Sequence, residues 1–158
     1  MSRLPVNAVL SLLALSITAC TITQTATPVS LSSDDRPKEI CVIEQPAVFS
    51  AFLPALRDSL AARGLSMRLL PKGASTDACP LTATYVAYRS WDFTTYMSQA
   101  RIQIYQSGNK TGEAIYEAPK GGWSMTTRIY ESTESKVETM VAQLFPTLPR
   151  KTSFKEPS

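Results

Sequence analysis

The chain has 158 residues, 18% of them charged, with 16 Lys and Arg against 13 Asp and Glu and no histidine. That length suits one domain, and a balance so near neutral leaves no electrostatic footprint for a nucleic acid. Without an imidazole there is no His-based triad, no His metal ligand and no ordinary general base at neutral pH.

The chain opens Met1-Ser2-Arg3 and then runs apolar from Leu4 to Ile17, "LPVNAVLSLLALSI". A positive start followed by such a stretch describes a secretory signal. The stretch is shorter than the ~20 apolar residues of a membrane span, and Pro5 interrupts it. Ile17, Thr18, Ala19 and Cys20 resemble a bacterial lipobox. The resemblance implies that residues 1–19 are cleaved, that the Cys20 thiol carries diacylglycerol and that the new amine is acylated. Cysteine suits the chemistry because a thiol is nucleophilic where a hydroxyl is not. Two or three acyl chains, at ~0.8 kcal/mol per buried CH2, then hold the chain on a membrane with no transmembrane helix. Thr21 rather than aspartate follows the cysteine, and the resemblance to Gram-negative sorting points to the periplasmic face of the outer membrane over the inner membrane. The alternative is a hydrophobic leader that ends near a cysteine by coincidence.

Arg3 leaves with the signal, so 15 basic residues face 13 acidic ones in the remaining 139. Cys41 and Cys79 remain. In an oxidising envelope they are expected as a disulfide, since two cysteines without histidine make a poor zinc site. Two buried free thiols are the alternative.

Residues 20–37 follow as the lipidated cysteine and a tether. From Thr21 to Pro37 the sequence "TITQTATPVSLSSDDRP" is polar and Pro-containing, and reads as a flexible coil reaching ~20–25 Å. A single α+β domain is expected over 38–146. Its first strand spans about 38 to 45, with β-branched Ile40, Val42 and Ile43 and a stop at Pro46. Phe49, Phe52, Leu53, Leu56 and Leu60 then recur at helical spacing up to Gly64. Pro54 is tolerable there if Ser50 caps the helix, because it then falls in the first turn.

"LSMRLLP" makes a second strand with Leu65, Met67 and Leu69 inward. After the loop "KGASTDA" a longer strand places Leu81, Ala83, Tyr85 and Ala87 on one face. "YMSQARIQIYQSGNKTGEAIYEA" reads as a hairpin turning at "SGNK". "PKGGWSMTTRIYES" has no period and is expected as an ordered loop. The last helix begins at a Ser132 or Thr133 cap and carries Val137, Met140, Val141 and Leu144 as a stripe. Residues 147–158 read as a disordered polar tail. The order β-α-β-β-β-β-α gives a two-layer α+β sandwich: a mixed four- to five-stranded sheet with both helices on one face.

Chemistry-bearing motifs are few. "PKGG" lacks the spacing of a phosphate loop. Glu113 and Glu117 share a strand face but read as solvated, so no catalytic residues are assigned and a non-enzyme is expected. The unusual cluster is "YRSWDFTTY", Tyr88 to Tyr96. Tyr88, Arg89, Trp91 and Asp92, with Trp123 from "KGGWSM", are candidate partner-binding residues, because Trp, Tyr and Arg dominate binding hot spots. The competing reading is a strand end whose rings finish the core while Arg89 and Asp92 fix a turn.

With the lipobox, the "CVIE" strand, "YRSWDF" and the "KGG" loop, residues 38–145 resemble a family of small proteobacterial outer-membrane lipoproteins to which no activity is attached. The strand-helix-strand order is also similar, in topology alone, to lipoproteins that assist outer-membrane assembly, such as the lipopolysaccharide-assembly lipoprotein. Taken with the near-neutral charge and the missing histidine, the expectation is a non-enzymatic module with an envelope protein as partner and no cofactor, metal or nucleic acid. An immunity or inhibitor lipoprotein against a periplasmic toxin or lytic enzyme is the alternative.

Overall fold

The computed structural model describes residues 23–31, 37–46, 48–92, 94–118 and 131–151. Six strands are described, β1 (Thr23–Thr27), β2 (Glu39–Ile43), β3 (Ser66–Leu70), β4 (Leu81–Asp92), β5 (Thr94–Gln106) and β6 (Asn109–Glu117), with helices α1 (Phe52–Ala61) and α2 (Thr133–Leu144). They form one open mixed sheet in the order β1-β6-β5-β4-β2-β3. The fold is the expected α+β sandwich with one strand more. β2 pairs parallel with both β3 and β4, while β4, β5, β6 and β1 are antiparallel neighbours.

The extra strand lies where a flexible tether was expected. "TQTAT" has no apolar run, yet all five of its residues pair with β6, from Thr23 opposite Glu117 to Thr27 opposite Glu113. Threonine favours extended backbone, and the β6 edge supplies the ladder that a coil would leave to water. Val29 then enters the core and donates its N–H to Leu144 O at 2.9 Å, which fixes the chain beyond the strand. A second correction concerns the tail. Leu148 is buried, its carbonyl accepts from Arg63 Nη1 at 2.7 Å, and the Lys151 N–H donates to Ala62 O at 2.7 Å. Residues 147–151 are therefore pinned to the end of α1.

Both helices cover the face bearing Ile40, Val42, Ala83, Tyr85, Ala87, Ala100, Ile102, Ile104, Ala114 and Tyr116. α1 buries Phe52, Ala55, Leu56 and Leu60. Pro54 is its third residue, where a missing N–H costs no helical bond. The cap is Ala51 rather than Ser50, with no side-chain bond. Ser132 caps α2, its side chain accepting from the Ser135 N–H, and the expected stripe is buried. The β5–β6 turn is Ser107-Gly108, both at positive φ (48° and 81°), the signature of a two-residue hairpin.

β3 and β4 run in the same direction with β2 between them, so residues 71–80 cross the helix-free face over β2. Parallel crossovers usually need a dozen or more residues and a helix. This short one is fastened by the Cys41–Cys79 disulfide. Arg68 lies along it, donating from Nε and Nη2 to Cys41 Sγ at 3.3 and 3.1 Å and from Nη2 to Cys79 Sγ at 2.8 Å. Glu39 holds the same guanidinium at 3.1 Å. The strap buries Cys41 and Thr82 on a face that otherwise has no helix over it.

Candidate functional site

The aromatic cluster sits on the β4–β5 hairpin, and the strands show why it projects. Up to Ala87, β4 is tied to the body. The Phe49 N–H donates to Ala87 O at 3.3 Å, the Tyr85 ring stacks on Phe52 at 5.4 Å, and the Tyr85 hydroxyl accepts from the Gln45 N–H at 3.3 Å. At the next step the register shifts. Tyr88 faces Gln99 but Arg89 faces Met97, which leaves Ser98 as an extra residue. Such a bulge bends and twists a hairpin. The Ser98 hydroxyl donates to Tyr88 O at 3.3 Å across it.

Met97 is buried at the base, whereas Tyr88 is 58% exposed, Trp91 is 73% exposed and Arg89 is exposed. The structure thus brings Tyr88, Arg89 and Trp91 together on one arm. The rings at Tyr88 and Trp91 do not complete the core. The Asp92 side chain and all of Trp123 lie outside the described residues.

The second surface is the part of the helix-free face beyond the strap, across β4, β5, β6 and β1. Val86, Tyr88, Gln99, Arg101, Ile115 and Glu117 line a shallow depression of about 170 Å³ there. Glu113 is the most organised group on this face. It accepts from Gln103 Nε2 at 2.8 Å and from Lys110 Nζ at 3.5 Å, and Arg101 Nε lies at 3.9 Å. The Gln103 hydrogen bond, aided by the two cations and opposed by partial burial, holds its carboxyl below the usual range.

Glu117 is four residues along the same strand, ~13 Å away at strand rise. Paired catalytic carboxylates stand ~5–9.5 Å apart, so the structure does not bring these two together. The sequence had not marked Gln103 as the partner.

The fold can be matched outside this chain. It resembles the PelC dodecamer from Paraburkholderia phytofirmans crystallised in space group P6. The TM-score is 0.53 at 15% identity, covering 82% of this chain and 99% of that one. A single-substitution variant of the same dodecamer, in space group C2, gives 0.51 at 14% identity over 82% and 99%. The chain shares its fold with PelC. At such identity the likeness concerns the fold alone. A minor lipoprotein from Acinetobacter baumannii is matched at 0.38 and 17% identity over 72% and 98%, too slight to carry an argument. No protein-family model matches the chain, and no curated protein matches it in sequence.

One buried charge was not singled out from sequence. Lys136, 1% exposed in the first turn of α2, holds its ammonium 5.3 Å from the centre of the Tyr116 ring. Loss of water pushes its pKa down, with Glu131 opposing. Its position could have raised it, since Lys136, Met140 and Leu144 form one i, i+4 row. No described helix is long and apolar enough to cross a membrane.

Proposed function

We propose that this chain is a non-enzymatic lipoprotein, anchored through Cys20 on the periplasmic face of the outer membrane, that binds or assembles another envelope component. The reading is supported by a sheet covered by helices on one face and, beyond the strap, uncovered on the other, in a chain whose first strand starts three residues after Cys20, the cysteine of the lipobox-like Ile17-Thr18-Ala19-Cys20. The disulfide suits an oxidising compartment. Glu113 is held ionised by Gln103, Lys110 and Arg101, which suits a recognition surface better than proton transfer. Arg101, Gln103 and Glu113 then supply the polar contacts, and Val86 and Ile115 the apolar ones. PelC is a dodecamer in its crystals, so further copies of this chain count among the components to be sought.

The test starts from the full chain expressed with its signal. Wild type is expected to require Cys20 for membrane partition, and Cys20→Ser to lose it. Arg101→Glu is expected to abolish capture of an envelope component or of a second copy after mild solubilisation, with partition intact. If Cys20→Ser partitions like wild type, or if Arg101→Glu captures the same set of proteins, the reading fails.

A further inference from the structure

We infer that the tip of the β4–β5 hairpin is a second membrane contact, seating Trp91 in the interfacial layer of the bilayer that holds Cys20. The inference rests on the lipid-anchor reading. It is carried by the register of the sheet. Thr23 lies opposite Glu117, Glu117 opposite Gln99, and Gln99 opposite Tyr88. These residues make one row across β1, β6, β5 and β4, so the start of β1 and the root of the hairpin are at the same end of the sheet. The row is ~14 Å wide at ordinary strand spacing.

Two lengths of chain set how far Cys20 and the hairpin tip stand from that row. The chain leading back from Thr23 reaches Cys20 in three residues, a span of at most ~10 Å. The hairpin continues from Tyr88 to Asp92 and returns from Thr94, overshooting the row by four residues, ~13 Å at strand rise. A cysteine held at the bilayer surface by its acyl chains therefore brings the hairpin tip to the same surface. Only Thr21 and Ile22 separate Cys20 from β1, so the chain before the sheet is shorter than the tether expected over residues 20–37.

The side chains suit that layer. Trp and Tyr concentrate at membrane–water interfaces, where the ring leaves water and its polar edge keeps a partner. Trp91 exposes 73% of its surface, and Tyr88, on the other side of the same strand, 58%. Arg89 between them can reach lipid phosphate while its stem stays along the strand. Arg89 and Asp92 cancel in charge, so the contact depends on ring burial and is insensitive to salt, unlike a polybasic patch. The acyl chains supply the affinity, and the hairpin fixes which way the helix-free face looks.

The lipidated full chain carrying Trp123→Phe, with Trp91 as its remaining indole, is reconstituted in vesicles of phosphatidylethanolamine and phosphatidylglycerol. Part of the lipid is replaced by phosphatidylcholine brominated on its acyl chains. The protein is expected to float with the vesicles. Trp91 emission should fall roughly twofold against unbrominated vesicles and shift to the blue, with no change on adding salt. Trp91→Phe, a change at an exposed site, gives the reverse measurement: the quenching lost from wild type must equal the part assigned to Trp91. Flotation with no quenching of Trp91 overturns the proposal, leaves the anchor standing and hands the tip to a protein partner. Failure to float with the vesicles overturns both the anchor and this contact.

Discussion

Glu113 shows how a surface carboxylate acquires a pH signature. Its folded pKa lies below the usual range because Gln103, Lys110 and Arg101 favour the ionised form. A carboxyl depressed on folding adds stability above its unfolded pKa, ~4.3 for glutamate, and loses it as pH falls through the folded value. Glu113→Gln is therefore expected to remove this acid-side dependence. Urea unfolding of both chains across the acid range should show their stability difference shrinking once pH drops below ~4.3. A difference that stays constant with pH would count against the assignment.

Half of this local picture is readable in sequence: the alternation of Ala114 and Tyr116 already puts Glu113 and Ile115 on the outer face. Its partner is not readable. Counting back from the Ser107-Gly108 turn puts Glu113 opposite Ile102, whereas a register shift after Ile104 puts it opposite Gln103. Lys136 is hidden for a related reason, since a lysine inside an amphipathic helix looks like a solvated side chain until the helix is docked.

At the scale of elements, the strands with strict alternation and the two striped helices follow from period and capping alone. β1 does not. Its one apolar residue is Ala26, and what makes it a strand is the vacant edge of β6, some ninety residues later in the chain. Gly112 makes the seam between them close. A Cβ there would lie 2.5 Å from Val29 Cγ2 and 3.2 Å from Thr27 O. Gly112→Ala must push β1 away from β6, at a cost of ~1–3 kcal/mol. Chemical denaturation should show that loss. Amide exchange should rise in β1 and residue 29 before it rises in β4 and β5. Uniform exchange across the sheet would mean that β1 is not a separately loosened edge. The bulge at Ser98 is equally silent in sequence, because one extra residue leaves composition unchanged while shifting the register of the far end of the β4–β5 hairpin, where Trp91 sits.

For the molecule as a whole, the disulfide decides how much of the fold survives reduction. It closes 38 residues spanning β2, α1, β3 and the strap over the sheet. Replacing both cysteines by alanine is expected to cost ~2–4 kcal/mol, through a less constrained unfolded chain and a strap released from β2. The shift in urea midpoint between native and doubly substituted chains measures it. Equal midpoints would show the strap to be held by packing instead. The cysteine pair was legible because the opening of the sequence reads as a leader, and a leader would imply an oxidising compartment. That its loop substitutes for a crossover helix was not, because loop length alone does not reveal a parallel pairing.

The bond from the Lys151 amide to Ala62 sits at the finish of α1, and α1 returns from the hairpin side of the sheet. Thr23 and Lys151, where the described residues begin and end, thus lie at opposite poles. On an anchored chain, a reporter or second module fused after residue 151 would stand out toward the aqueous space, roughly 40 Å from the Trp91 pole at strand rise. On that arrangement the fold would act as a short post, its length set by β4, between the bilayer and whatever is joined to residue 151.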